Sequence, residues 1–372
     1  MDDRERLIVL NAIPDIGTIR VRRLLESFGT LRELFAAGEA RLQQVEGIGP
    51  VLARRIASAC QKTQLAAEEL QLAKDAGCSV VTMLDDGYPT PLKNLPDPPL
   101  VLYMKGAWVE QDRTAVAIVG SRRASIYGQQ VAQRLAYDLA MRGITVVSGL
   151  ARGIDSAAHQ GALKASGRTI AVLGNGLSRI YPPEHEGLAE RIVAQGAVMS
   201  EYPMQAPPLA QHFPQRNRLI SGLSLGVVIV EAAKRSGALI TADCALEQGR
   251  EVFAVPGTVD SVTSQGTHQL LKQGARLVTS VDDILEELRL EPREPRPDRP
   301  ASSPDQPATP VHGLTEQEQR LFESLSAHEP RDLDSLAAHS GISAAASASL
   351  LLQLELKHLV KQLPGKRFVR VC

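Results

Sequence analysis

Between residues 113 and 290 short apolar runs alternate with helical patterns, and this rhythm constrains the fold more than any other feature. The runs fall at 114–119, 144–148, 169–173, 197–201, 225–231, 251–255 and 276–279. Each is too short for a helix and rich in Val, Ile or Thr, which suits a strand. Most lack the polar half of an alternating pattern, so both faces must be covered. Strands of that kind, separated by helices, build parallel βαβ units. The predicted fold class is therefore α/β, with a doubly wound, mostly parallel sheet that is Rossmann-like in the broad sense.

Other textures flank this region. Residues 1–66 are helical and carry two related phrases. One is Ile13-Pro14-Asp15-Ile16-Gly17, followed by Arg20, Arg22 and Arg23; the other is Val45-Glu46-Gly47-Ile48-Gly49-Pro50, followed by Arg54 and Arg55. This looks like a helix-hairpin-helix (SAM-like) pair, in which a glycine turn that opens a helix presents backbone amides able to hold a phosphate. The same pattern also suits a helical bundle whose glycines only turn the chain. Residues 67–112 form a bridge: a helix at 65–75, a strand at 79–83, then a stretch broken by Pro89, Pro91, Pro96, Pro98 and Pro99. Residues 291–311 hold seven prolines and almost no large apolar side chains, the composition of an extended tether. Residues 312–372 read as three helices and a hairpin, the order of a winged helix. The first of these helices is opened by Thr315 with Glu318 as a capping box.

Composition excludes some classes of function. Lys and Arg number 41 against 42 Asp and Glu, so no global positive field attracts a polyanion, and any nucleic-acid site must be a local patch. The four cysteines, Cys60, Cys78, Cys244 and Cys372, are far apart and show no zinc spacing. They point to a reducing compartment, no structural metal and no disulfide framework. No signal-like start or run long enough to span a bilayer is present, so a cytoplasmic, non-membrane protein is expected.

In an open α/β sheet, ligands bind beyond the carboxyl ends of the strands. Here those ends read Gly120-Ser121-Arg122-Arg123, Ser148-Gly149-Leu150-Ala151-Arg152-Gly153, Gly174-Asn175-Gly176 and, after a later strand, Lys234-Arg235-Ser236-Gly237. Glycine turns let the backbone approach an anion, and arginine adds a forked donor. Four such loops on one rim suggest several phosphates. The dinucleotide fingerprint, the P-loop and the nucleophile elbow are all missing. Asp155 and His159, spaced i and i+4 beside Ser148 and Ser156, are better read as a helix cap and a packed histidine than as a hydrolytic set. Glu231 is open to two readings, a general base or a partner for a rim arginine. The segment Phe213-Pro214-Gln215-Arg216-Asn217-Arg218 joins an aromatic, two cations and an amide, the means by which single strands are held through stacking and charge. The alternative is that Phe213 is core and the arginines are solvated or pair with Glu201. Arg216 and Arg218, two apart, cannot share one helix face.

Taken in order, these phrases closely resemble the DprA (Smf) family of DNA-processing proteins. The resemblance runs through Val116–Arg122 and 148–155 with His159, then 169–174 with Tyr181-Pro182. It continues through 200–203, 213–218, 221–224, 236–242 and 255–257. It implies a non-enzymatic, homodimeric binder of single-stranded DNA that acts against single-strand-binding protein and loads RecA onto incoming strands during natural transformation. No cofactor is implied. The DNA-binding residues implied are Gly120, Ser121, Arg122, Ser148, Gly149, Arg152, Gly153, Gly174, Gly176, Phe213, Arg216, Asn217, Arg218, Ser236 and Gly237. The competing reading is a nucleoside-monophosphate hydrolase of the lysine-decarboxylase-like Rossmann group. That group's Pro-Gly-Gly-x-Gly-Thr phrase is replaced here by Pro256-Gly257-Thr258-Val259. The third helix of the last domain, 343–356, has no Arg or Lys, so it is expected to meet protein rather than read base edges.

Overall fold

The computed structural model describes residues 1–62, 64–290, 314–325, 331–357, 359–363 and 367–370. The chain divides into two compact units, Met1–Arg296 and Pro297–Cys372. The tether expected at 291–311 lies outside the described residues.

Each of the seven apolar runs forms a strand. They are β3 (Ala115–Val119), β4 (Thr145–Ser148), β5 (Thr169–Val172), β6 (Ala197–Ser200), β7 (Gly226–Ile229), β8 (Glu251–Ala254) and the short β9 (Arg276–Leu277). Helices lie between them: α8 (Ile126–Met141), α9 (Ile154–Lys164), α10 (Glu186–Gln195), α11 (His212–Gly222), α12 (Gly237–Glu247) and α13 (Gln265–Lys272), with α14 (Val281–Glu287) at the end. With two strands from the bridge, β1 (Ser79–Thr82) and β2 (Val101–Gly106), the sheet order is β1-β2-β6-β5-β4-β3-β7-β8-β9, and neighbours from β6 to β9 are parallel. From β3 the chain steps outward through β4, β5 and β6. It then returns to β3's other side with β7. Every residue of β3 through β7 is buried, as uninterrupted apolar runs require. The two faces separate by alternation. Ala115, Ala117 and Val119 join the core under α11 and α12, whereas Val116 and Ile118 join the one under α8, α9 and α14.

The bridge contributes more than the proline pattern suggests. It holds β1 (Ser79–Thr82), the short α7 (Thr90–Lys93) and a further strand, β2 (Val101–Gly106). This strand inserts between β1 and β6, antiparallel to both. Sequence reading missed it because the prolines immediately before it mask a fully apolar start. Helices α1 (Asp3–Asn11), α2 (Thr18–Phe28), α3 (Leu31–Ala36), α4 (Glu39–Leu42), α5 (Pro50–Gln61) and α6 (Gln64–Asp75) pack into the same unit as the sheet. The Asn11 side-chain amide donates to the Glu201 carbonyl at 3.0 Å, and Glu69 accepts the Met204 amide at 2.5 Å.

The C-terminal unit contains α15 (Glu316–Glu323), β10 (Arg331–Asp332), α16 (Leu333–Ser340), α17 (Ala344–Leu356), β11 (Val360–Leu363) and β12 (Arg367–Arg370). Thr315 and Glu318 form the expected capping box, and Gly341 closes α16 at φ 70°. Its sheet order is β10-β12-β11, giving a winged helix with one strand more than the two predicted. The face of α17 turned to solvent shows Leu352 and Leu356.

Candidate nucleic-acid interface

The order of strands creates a switch point between β3 and β7, where successive crossovers leave in opposite directions and open a crevice. A cavity of about 640 Å³ lies there. Its walls are the loop after β3 (Gly120, Ser121, Arg122, Arg123), the start of α12 (Ser236, Gly237) and one side of α11 (Phe213, Arg216, Asn217). These include eight of the residues singled out from sequence.

The loop after β3 is held from three sides. The Ser121 amide donates to the Glu231 carbonyl at 2.8 Å, its carbonyl accepts the Ile154 amide at 3.2 Å, and its hydroxyl accepts the Arg123 amide at 3.1 Å. Both arginines are thus presented from a fixed backbone. Ser236 caps α12 by accepting the Ala238 amide, so the positive end of that helix dipole faces the cavity. Arg122 lies over the Phe213 ring at 5.0 Å, and Tyr181 packs on the same ring at 5.6 Å between centroids. Phe213 rests against Gly174, where a β-carbon would stand 3.0 Å from the ring. Both rings line the cavity, Tyr181 exposed and Phe213 partly so. Sequence reading gave the stacking role to Phe213 and quoted Arg123 and Tyr181 in their phrases without placing them in the site; the structure puts all three on the cavity wall.

The other seven residues do not line the cavity. The Ser148 hydroxyl is fully buried and donates to the Ile118 carbonyl at 2.6 Å, tying β4 to β3. Gly149 leaves room for the Arg216 guanidinium. Gly153 adopts φ 76° so that α9 can start against the Ser121 carbonyl. Gly174 and Gly176 are packing positions, the first under Phe213 and the second against the 203–204 backbone. Arg152 pairs with Glu184. Arg218 points away from the cavity to Asp97, at 3.1 Å, and to Glu201. The Glu201 pairing considered from sequence therefore holds for Arg218, and helical geometry separates it from Arg216 as its spacing required.

Arg216 lines the floor but is only 3% exposed. Its Nη1 donates to the Gly149 carbonyl at 2.9 Å and to the Val172 carbonyl, bracing the ends of β4 and β5. Burial pushes its pKa down to about 10, opposed by the Asp155 carboxylate nearby. Burial in turn raises Asp155, which accepts the Ala151 amide at 3.3 Å. This buried pair leaves a cation directly beneath the cavity. His159 is fully buried, with Nδ1 2.7 Å from Thr169 Oγ1, and burial drives its pKa down to about 3, so it is neutral and packed. Glu231 fits neither reading considered for it: its carboxylate accepts the Ser125 amide at 2.9 Å and the Ser125 hydroxyl, capping α8. The described residues contain no cluster suited to a metal ion.

The N-terminal hairpins place Gly17 and Gly49 at the starts of α2 and α5. Their basic residues are partly engaged, with Arg55 on Asp15 at 3.0 Å and Arg23 on Glu46 at 3.6 Å. Each hairpin braces the other.

Three family models match in chain order. Residues 7–62 match the SAM-like helix-hairpin-helix tandem, 79–289 the DNA recombination-mediator protein A family, and 300–366 the DprA winged helix domain. The chain belongs to the DprA family. Protein Smf of Escherichia coli is 44% identical over 292 residues, spanning 77% of this chain and 76% of its own. DNA processing protein DprA of Bacillus subtilis is 43% identical over 216 residues, 58% of this chain and 73% of its own. The solved structure of DNA processing protein A from Streptococcus pneumoniae superposes with a TM-score of 0.65 at 35% identity, covering 76% of this chain and 95% of that one. The Helicobacter pylori protein, whose structure is described for its single-stranded DNA binding mode, gives a TM-score of 0.51 at 32% identity over 57% of this chain and 95% of that one. This is a DNA-processing family, and the chain carries its α/β, helix-hairpin-helix and winged-helix parts. No helix among the described residues is long and apolar enough to cross a membrane.

Proposed function

We propose that this chain binds single-stranded DNA in the cavity at the β3–β7 switch point. It acts there as a cytoplasmic recombination mediator, a homodimer that takes strands from single-strand-binding protein and loads RecA onto them during natural transformation. One observation carries the DNA-binding step. A rigid loop presents Arg122 and Arg123 beside a helix N-terminus, and an aromatic pair, Phe213 under Arg122 and Tyr181 packed on it, lines the same cavity. Charge engages any phosphodiester and the ring stacks on any base, so the site suits a strand without sequence preference. Membership of the DprA family and the single-strand binding described for the Helicobacter pylori relative support the same reading. With no Arg or Lys, α17 suits protein contact better than base readout.

The hydrolase reading lacks support in the geometry. Glu231 is committed to Ser125, and Asp155, which lines the cavity, is buried with its carboxylate held by the Ala151 amide and the Arg216 charge. Incubation with AMP is expected to release no base.

The test is a titration of the full chain with an unstructured oligonucleotide and with the matching duplex over a salt series. The single strand is expected to bind more tightly, with affinity falling as salt rises. Arg122→Ala should weaken every sequence alike and lower the slope of log affinity on log salt by about 0.7 for each phosphate it no longer neutralises. Equal binding of both forms, or an unchanged Arg122→Ala, would overturn the reading.

A further inference from the structure

A second cavity, about 180 Å³, lies at the opposite rim of the same sheet. It is lined by Arg113, two residues before β3, by Arg250, next to the start of β8, and by Thr90, Asn94 and Ser224. Two guanidinium groups converge here and no carboxylate lines the space. Glu110 takes one side of Arg113 at 2.8 Å, and the other side donates to the Thr90 hydroxyl at 3.2 Å. Arg250 is half-buried and has no ion-pair partner among the described residues. Its side-chain hydrogen bond, to the Gly222 carbonyl, is long at 3.4 Å, and its enclosed Nε meets no acceptor among them. A guanidinium withdrawn from water with so little compensation is costly unless an anion completes it.

From these observations we infer that Arg113 and Arg250 form a second phosphate-binding site. Size selects the ligand. Pockets that enclose a whole nucleotide-sized ligand run from about 300 Å³ upward, so this one takes a single head group with its neighbours outside. Position makes it separate from the first cavity. At about 3.3 Å per residue, the five residues of β3 put the two rims roughly 17 Å apart, beyond the reach of one phosphate. The phosphate belongs either to a strand that continues around the sheet or to a free phosphate compound.

Phenylglyoxal labelling of the full chain, read residue by residue by mass spectrometry, tests this first in the wild type and then in two variants. At constant ionic strength inorganic phosphate is expected to slow labelling of Arg113 and Arg250 severalfold, and to do so equally in Arg122→Ala. Arg250→Gln should abolish protection at Arg113. Labelling indifferent to phosphate, or protection that disappears with Arg122→Ala, overturns the inference. The source of the phosphate is read from oligonucleotides of about 4 and about 16 nucleotides. Stronger protection by the longer one assigns the site to the strand's own phosphates; equal protection by both and by inorganic phosphate assigns it to free phosphate compounds, and either outcome supports the site. The inorganic arm contains no DNA, so its failure is distinct from failure of single-strand binding at the first cavity.

Discussion

Three arginines show how little residue type says about role. Arg122 stands on a fixed loop at the cavity, Arg216 is interred beneath it, and Arg218 holds Asp97 and Glu201 together on the far side of the same helix. Removing Arg218 leaves the half-buried Glu201 without its cation. Arg218→Met is expected to cost about 3 kcal/mol in urea unfolding. Its single-strand affinity, measured where the variant is folded, should stay within about twofold, since Arg218 faces away from the phosphates. His159 carries a pH signature. Its pKa falls from the ordinary 6.5 to about 3 on folding, so between those values the unfolded chain binds a proton that the native state refuses. Stability attributable to His159 is complete above pH 6.5 and is lost as pH falls toward 3. Asp155 and Glu201, raised by burial, contribute with the opposite sign, so the comparison must be by difference. Melting temperature should fall more steeply between pH 6.5 and 4 in wild type than in His159→Gln.

Among the elements, the loops at strand ends are set by what packs behind them. Gly153 opens α9 at φ 76°, and a β-carbon there would overlap the Ser121 carbonyl and the Arg122 backbone. Gly153→Ala is therefore expected to cost about 1–3 kcal/mol and to displace the loop that carries Arg122, weakening single-strand binding along with stability. Gly187, inside α10, has no atom within 4 Å of its would-be β-carbon. Gly187→Ala should instead stabilise by roughly 0.5–1 kcal/mol, with binding unchanged. Denaturant unfolding and an oligonucleotide titration on both variants check the contrast. Elements with strong local signals were legible in the sequence: the seven strands of the α/β region and the capping box at Thr315. β2 was not, because its pairing with β1 and β6 is a long-range choice that no local pattern records.

At the scale of the molecule, Met1–Arg296 forms a compact unit that contains the whole cavity. A chain ending at Arg296 is expected to keep single-strand affinity within about threefold, since every charged group of the cavity stays in place. It should also sediment as a dimer; a monomeric truncation would assign self-association to the C-terminal unit. Periodicity and composition by themselves determined the α/β class and the winged helix, and pointed to the rim at which a cavity opens, since burying apolar runs on both faces leaves few architectures. Only the tertiary structure decided which rim residues meet the cavity and which brace it. A glycine or arginine looks the same in sequence whether it faces a ligand or a neighbouring backbone, and that depends on how segments far apart in the chain pack together.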